Sequence, residues 1–448
     1  MKRFWVALML MIVGVSLFAG GQQEIEKSTD PWKQFAGEEL NVVSMNITFA
    51  QGLEKYLPEF EEKTGLKVNL DLFSEDMAHQ KIKTELASGS GAYDVVWVQS
   101  GYSIPYASAG WLESLDPYIS SSEKSMQDVL EFDDIIPSLV EMMKYDGSTY
   151  GIPFFAATII TYYRSDILRE KGIDPSMLDT IDGFYEAVKL LNSADMAGVA
   201  MRGDTMNTSW HSTVFMKGLG GTYVKDIKNE DYTPTLNSEA VIESTKLYAD
   251  MMANYGIDGA ATAKYDDVVL AIQQGNAAIA IEGAPLAGRI LDPELSKVVG
   301  KIGFRVVPAG PGGQYPAFTG HGLGITSASK NKDAAWLFLQ WANSFDIVKK
   351  IALNTNHLAV QRSSVWNDSE FRERWNLEGE GDFLKTFEDS LAKADPDYRP
   401  RFAGFNEINQ AYGEAVNKVI IGKSSAEDAC EVLQEKALEV VRRFGYID

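Results

Sequence analysis

Apolar positions alternate between two periods along the chain from Leu40 onward. "LNVVSM" (40–45) reads as a buried strand, and "AQGLEKYLPEFEEKTG" (50–65) repeats its apolar residues every three to four positions until Gly65, the pattern of an amphipathic helix with a glycine stop. "LKVNLDLF" (66–73) is the next strand, "EDMAHQKIKTELASGSG" (75–91) the next helix and "YDVVWVQ" (93–99) a third strand. This alternation predicts a parallel sheet with crossover helices. Past "GSTYGIPFF" (147–155) it begins again. "TIITYYR" (158–164) is a strand, "DGFYEAVKLLNSA" (182–194) a helix, "GVAMRG" (198–203) a short strand and "SEAVIESTKLYADMMANYG" (238–256) a long helix. In "VVLAIQQGNAAIAIEG" (268–283) a helix turns at Gly275 into a buried strand. "GKIGFRVVPAGPGGQYP" (300–316) is a strand entering a Pro/Gly loop, and "GLGITSASKNKDAAWLFLQWANS" (322–344) a strand, a polar turn and a helix. The last hundred residues are mostly helical, with no repeats and no long linker. Two α/β units are therefore expected.

The segment before Leu40 follows a different logic. Lys2 and Arg3 precede an apolar run from Phe4 to Phe18, followed by the small residues Ala19, Gly20 and Gly21. That is the layout of a secretory signal over residues 1–21, and the run is short of the ~20 apolar residues that span a bilayer. Residues 22–39 are polar and expected to form a flexible leader. A lipoprotein signal needs a cysteine near Gly21, whereas the chain has one cysteine, Cys430. The mature protein is therefore expected to be released into the periplasm of a two-membrane bacterium and not lipid-anchored. Cys430 shares a helical face with Leu433, Ala437, Val440, Val441 and Phe444 and is expected in the core.

Composition removes several classes of function. With 45% hydrophobic residues the 448-residue chain can build more than one core, and 63 acidic against 41 basic residues leave a formal charge of -22. Nucleic acid and anionic membranes are poor partners for such a surface. His79, His211, His321 and His357 are too far apart for a zinc motif, "GPGG" (310–313) lacks the lysine of a phosphate loop, and no G-x-S-x-G occurs. No metal, cofactor or catalytic residue is expected. An exported carbohydrate-active enzyme stays as the alternative, because carboxylates are too numerous to exclude a glycosidase pair by sequence.

The ordered set "TGLKVNL", "YDVVWV", "GWLESLDPYI", "YGIPFF" with "YYRSDILREKGID", then "QQGNAAIAIEG", "VVPAGPGG" and "SKNKDAAWLFLQWA" resembles the extracellular solute-binding proteins of bacterial ABC transporters. Within them it is similar to the carbohydrate and polyol group that includes maltose-binding protein. The resemblance runs from about Leu40 to the C-terminus. It implies a type II periplasmic-binding fold, α/β and two-lobed, with interleaved lobes, 40–156 plus 318–356 and 157–317 plus 357–448. The hinge crossings would lie near Phe155–Thr158, Tyr315–Thr319 and Asn356–Ala359. It also implies a monomer that closes on a sugar or polyol and hands it to membrane permease subunits; a receptor feeding a sensor kinase is equally compatible.

A sugar or polyol presents many hydroxyls, each donor and acceptor, together with apolar C–H faces, so planar polar groups and aromatic rings suit it. In open α/β sheets such groups sit beyond the carboxyl ends of strands. The candidates are therefore Asn46 after the first strand, Gln99 and Tyr102 after the third, and Phe154 and Phe155 at the first crossing. On the second lobe they are Arg202, followed within one loop by Trp210, and Glu282 at the end of "AAIAI"; His321 and His357 mark the other crossings. Relatives of maltose-binding protein commonly carry a tryptophan shortly after the strand matched by "AIAIEGAP", where this chain has Ala284 and Pro285. A monosaccharide, small disaccharide or polyol is therefore expected in place of a long glucan.

Overall fold

The computed structural model describes residues 30–377 and 379–448. Residues 1–21, expected to be a secretory signal, and residues 22–29 of the expected leader lie outside the described residues. The rest of the leader is placed: a short 3-10 turn, Pro31–Lys33, lies against the first long helix, with the Lys63 ammonium 3.4 Å from the Trp32 ring centroid. Gly37 N donates to Gly65 O at 2.9 Å.

Eight strands form the main sheet: β1 (Glu39–Met45), β2 (Lys67–Phe73), β3 (Val95–Gln99), β4 (Ile152–Arg164), β5 (Ala197–Ala200), β6 (Ala277–Gly283), β7 (Ile302–Val306) and β8 (Phe318–Ile325). Their order is β2-β1-β3-β8-β4-β6-β5, with β7 also on β4. As the alternation predicts, β1 pairs in parallel with β2 and β3, and β5 with β6. Helices Thr48–Thr64 and Glu75–Ser88 connect the first three strands. The first ends at Gly65, whose φ of 74° is a left-handed conformation that costs glycine nothing. The helix Tyr265–Gln274 ends the same way at Gly275, φ 76°, before turning into β6.

Strand β4 joins the two units. Ile152–Thr158 pair antiparallel with β8, while Ile159–Tyr163 pair with β6 and Ile160–Arg164 with β7. One strand thus changes partners between Thr158 and Ile159, so its first half belongs to one lobe and its second half to the other. Every one of its residues from Ala156 to Tyr163 is buried, which explains why "TIITYYR" reads as continuous apolar sequence.

The C-terminal region divides between the lobes. Arg362, 0% exposed, donates to Leu130 O and Asn343 O and pairs with Glu131 and Asp134, which holds the segment after the third crossing on the first lobe. Helices Phe405–Ile420 and Ala426–Arg443 instead pack on the second lobe with Tyr398, Phe402 and Trp210. Cys430 is buried there beside Thr245, as its helical spacing predicts.

Candidate functional site

Gln99 and Tyr102 lie at the carboxyl end of β3, and Arg202 and Glu282 at those of β5 and β6, on either side of the point where β4 changes partners. On the second lobe Arg202 lies two residues beyond β5, and Glu282 is the penultimate residue of β6. Their side chains form a two-pronged ion pair, Nε to Oε2 at 2.9 Å and Nη2 to Oε1 at 2.5 Å. Glu282 is 0% exposed, and Gly283 N donates to its Oε1 at 2.7 Å. His211 Nδ1 accepts from Arg202 N at 2.9 Å, which leaves the ring proton on Nε2, 3.8 Å from Glu282 Oε2. Tyr248 donates its hydroxyl to Arg202 O. Burial by itself would raise the Glu282 carboxyl, but the Arg202 charge and the His211 ring outweigh it and hold the group at about 2. Burial pushes His211 below its ordinary value.

Trp210 precedes His211 on the helix Thr208–Gly218. The sequence placed both in a loop after Arg202. They are helical because Thr208 begins an uninterrupted turn pattern after the Asp204 turn, in which Thr208 N donates to Asp204 O. Trp210 is 6% exposed, edge-on to Tyr398 with ring centroids 6.4 Å apart, and the Arg399 guanidinium lies 5.1 Å from its centroid.

The first-lobe wall is aromatic. His321 faces Phe155 across the β8–β4 pair, with ring centroids 4.7 Å apart, and accepts from Trp97 Nε1 at 3.2 Å. His79 lies between Trp97 and Tyr102, at 4.5 and 4.3 Å. Gln99, opposite His321 in the β3–β8 register, donates to Glu75 Oε1 at 3.2 Å. Tyr102, expected just after the third strand, sits in the first turn of a helix, Ser100–Ser108, that begins directly at the end of β3.

Of the residues expected to bind solute, Gln99, Tyr102, Phe155 and His321 gather on one side and Arg202 and Trp210 on the other, with Glu282, 0% exposed, behind Arg202 as its ion-pair partner. Asn46 is exposed and stands apart, its side-chain oxygen accepting from Gln51. Phe154 and His357 are hinge core: both are 0% exposed, Phe154 stacks on Phe49 at 4.5 Å, and the His357 ring meets Phe49 at 5.3 Å. In this conformation neither presents a face to a solute. The side chain of a strand residue points opposite to its neighbour's, so only one of Phe154 and Phe155 can face the cleft. Trp97, His79, Glu75 and Arg399 were not picked out from the sequence. Trp97 shares the face of Gln99 two residues away, and His79 is one helical turn after Glu75. Those periodicities were available; nothing in the sequence flags Arg399.

Burial pushes the imidazoles of His79, His321 and His357 down to about 4, 3 and 3. In the unfolded chain they titrate near ~6.5. A folded pKa below the unfolded one means that neutrality contributes stability in full above the unfolded value. That contribution declines as pH falls toward the folded value, because the unfolded chain takes protons first. The melting temperature should therefore hold between about pH 7 and 8 and fall progressively below about pH 6, with Glu282 adding a further loss below about pH 4.5. Scanning calorimetry in a pH series reads this directly; a profile flat down to pH ~4 contradicts buried neutral rings.

Known proteins resemble the chain over nearly its whole length. The sequence profile described as bacterial extracellular solute-binding protein matches residues 46–345. An erythritol/L-threitol-binding protein of Mycolicibacterium smegmatis is 25% identical over 424 residues, covering 91% of this chain and 86% of the relative. A mannitol-binding protein of Pseudomonas aeruginosa is 22% identical over 429 residues, covering 91% and 94%. Among solved structures, an ABC transporter solute-binding protein of Agrobacterium radiobacter in complex with ribitol superimposes with a TM-score of 0.80 at 24% identity, covering 90% of this chain and 99% of that one. The fold is thus the two-lobed type II arrangement of periplasmic binding proteins.

Proposed function

The chain belongs to the bacterial extracellular solute-binding proteins, and from that premise we propose that it is the receptor of an ABC importer for a small polyol or sugar. One observation carries the reading: β4 runs through both lobes and so sets an aromatic wall, with Phe155 and Tyr102, against a polar wall with the Arg202–Glu282 pair. Rings cover the C–H faces of a polyol while planar polar groups satisfy its hydroxyls. The relatives that bind erythritol, L-threitol and mannitol make an alditol the first solute to try.

The mechanism is conformational. A solute touching both lobes favours the closed form by the difference in its affinity for the closed and open forms. Change of strand partners between Thr158 and Ile159 provides the pivot, since backbone hydrogen bonds on either side move with different lobes. Membrane permease subunits would then read the closed form from the outer faces of both lobes. In this reading the mature chain is a monomer, released into the periplasm after removal of residues 1–21 and carrying no lipid, since its one cysteine is Cys430.

Thermal denaturation of residues 22–448, refolded to remove carried-over solute, tests the proposal against erythritol, ribitol, D-mannitol, monosaccharides, amino acids and short peptides. A solute at ~1,000 times its dissociation constant adds about 4 kcal/mol, a rise of several degrees. A rise with an alditol or sugar recovered unchanged is the expected result. A rise with amino acids or peptides alone removes the carbohydrate assignment, and consumption of the solute makes the protein an exported carbohydrate-active enzyme.

A further inference from the structure

Tyr265 opens the helix Tyr265–Gln274, which buries Val268, Val269 and Ile272 and passes through the turn at Gly275 into β6. A helix joined to a strand by so short a turn doubles back along it, so its first residue lies at the strand's far end, where Glu282 is. Arg202 follows β5, which is parallel to β6 and ends on the same side. Hydrogen bonds fix the two segments together. Gly203 N donates to Ala263 O at 2.9 Å, and Asn417 Nδ2 donates to Gly203 O at 3.2 Å and to Ala261 O at 2.6 Å. The approach is so close that a Cβ on Gly203 would stand 1.9 Å from Ala260 O. The Arg202 guanidinium carbon therefore lies 5.8 Å from the Tyr265 ring centroid. Tyr265 escapes a rule that looks just after each strand, because it precedes one.

Two features of this corner are unfilled. Glu282 takes Nε and Nη2 of Arg202, and among the described residues no hydrogen bond reaches Nη1. Its two N–H groups point away from the carboxylate, on a planar group whose orientation the two-pronged pair has already fixed. The Arg202 side chain keeps 15% of its surface exposed and Glu282 behind it none, so the free edge faces outward. The ring is the second feature. Tyr265 is 42% exposed, against 6% for Trp210, which makes it the more accessible aromatic surface beside Arg202. The other guanidinium near it, Arg289 with its carbon 5.9 Å from the centroid, is held by Asp266 at 2.7 Å. An open ring beside fixed, unfilled donors matches what a polyol carbon presents, a C–H face next to a hydroxyl.

We propose that Tyr265 and the Nη1 edge of Arg202 form a solute subsite on the second lobe, the ring covering the C–H face at one end of an alditol or sugar and Nη1 donating to a hydroxyl oxygen beside it. The inference rests on the receptor reading and adds to it the residue that gives the second lobe an aromatic surface. Glu282 acts here through Arg202: it holds the guanidinium plane and leaves contact with the solute to Nη1. The ring contributes by the apolar area it covers, so its phenolic hydroxyl is dispensable.

Titration calorimetry tests the subsite, with whichever of erythritol, ribitol and D-mannitol binds the unsubstituted protein most tightly. Tyr265→Ala should weaken binding about tenfold. Its solute-free melting temperature should stay within about 2 °C of the unsubstituted protein's, because the position is exposed. Tyr265→Phe keeps the ring and should bind within about twofold. Leu270→Ala is the control: Leu270 is on the same helix, farther from the strand end and 55% exposed, and its loss should change affinity by less than about twofold. Affinity in Tyr265→Ala within about threefold of the unsubstituted protein overturns the subsite and leaves the receptor standing. So does a loss in Tyr265→Phe as large as in Tyr265→Ala, which would assign the contact to the hydroxyl, or an equal loss in Leu270→Ala, which would mean that the helix acts through the fold. Failure of the unsubstituted protein to bind any of the three alditols overturns the alditol reading and the subsite together.

Discussion

Replacing Glu282 by alanine should lower the melting temperature by about 5–10 °C, because it leaves the Arg202 guanidinium in a largely dry site without its counter-charge. Removing one member of a buried ion pair costs about 3–5 kcal/mol. The pair qualifies: Glu282 is 0% exposed and the Arg202 side chain 15%. Gly283 N and the His211 ring also lose the acceptor they face. Glu282→Gln keeps the volume and one acceptor oxygen, so it should cost about 1–3 kcal/mol and weaken solute binding through mismatched hydrogen bonds. Thermal denaturation with calorimetry separates the two variants. The alanine variant should also lose its share of the stability change below about pH 4.5, since the carboxylate held at about 2 is gone. A fall smaller than about 2 °C in Glu282→Ala would mean that Arg202 finds water readily and that the site is open in solution.

The second large effect is at Trp210. From sequence, Trp210→Ala is expected to weaken solute binding without unfolding the protein. Its packing adds a stability cost, since the ring is 6% exposed and held between Tyr398 and Arg399. Truncating a buried tryptophan costs about 3–5 kcal/mol through lost contacts and the cavity left behind. Solute affinity should fall as well, because an aromatic face suited to the solute's C–H groups is lost. Trp210→Phe keeps an aromatic face and should recover most of the stability. Melting temperature and solute affinity measured together decide the role. Loss of stability with unchanged affinity would place Trp210 in the core alone, and loss of both, with partial recovery in Trp210→Phe, supports a wall residue that also packs.

The residues expected to bind solute sort by a simple geometric rule. Arg202 and Glu282 stand out in the sequence because a charge directly after a buried run needs a partner, and each is the other's. Gln99 and Tyr102 follow a strand end and reach the cleft, although the helix that carries Tyr102 starts at once and leaves no loop. Asn46 also follows a strand end and does not join them, because Gln51 takes its side chain one turn into the next helix. Position after a strand is thus not sufficient; local hydrogen bonding decides which way the side chain turns. Phe154 and Phe155 illustrate a limit of another kind. Neighbouring strand residues point to opposite faces, but which of the two faces the cleft depends on the register with β8, where His321 meets Phe155.

Periodicity, glycine stops and strand-end charges by themselves determined the two α/β units, the ends of their helices and the Arg202 and Glu282 candidates. These features are local: each reports the face a residue buries within its own element. Tertiary structure alone decided that β4 changes partners between Thr158 and Ile159, and that Arg202 and Glu282, 80 positions apart, meet in one ion pair. Those facts depend on how separate elements pack, and a side chain's hydrophobic pattern carries no record of which distant element will lie against it.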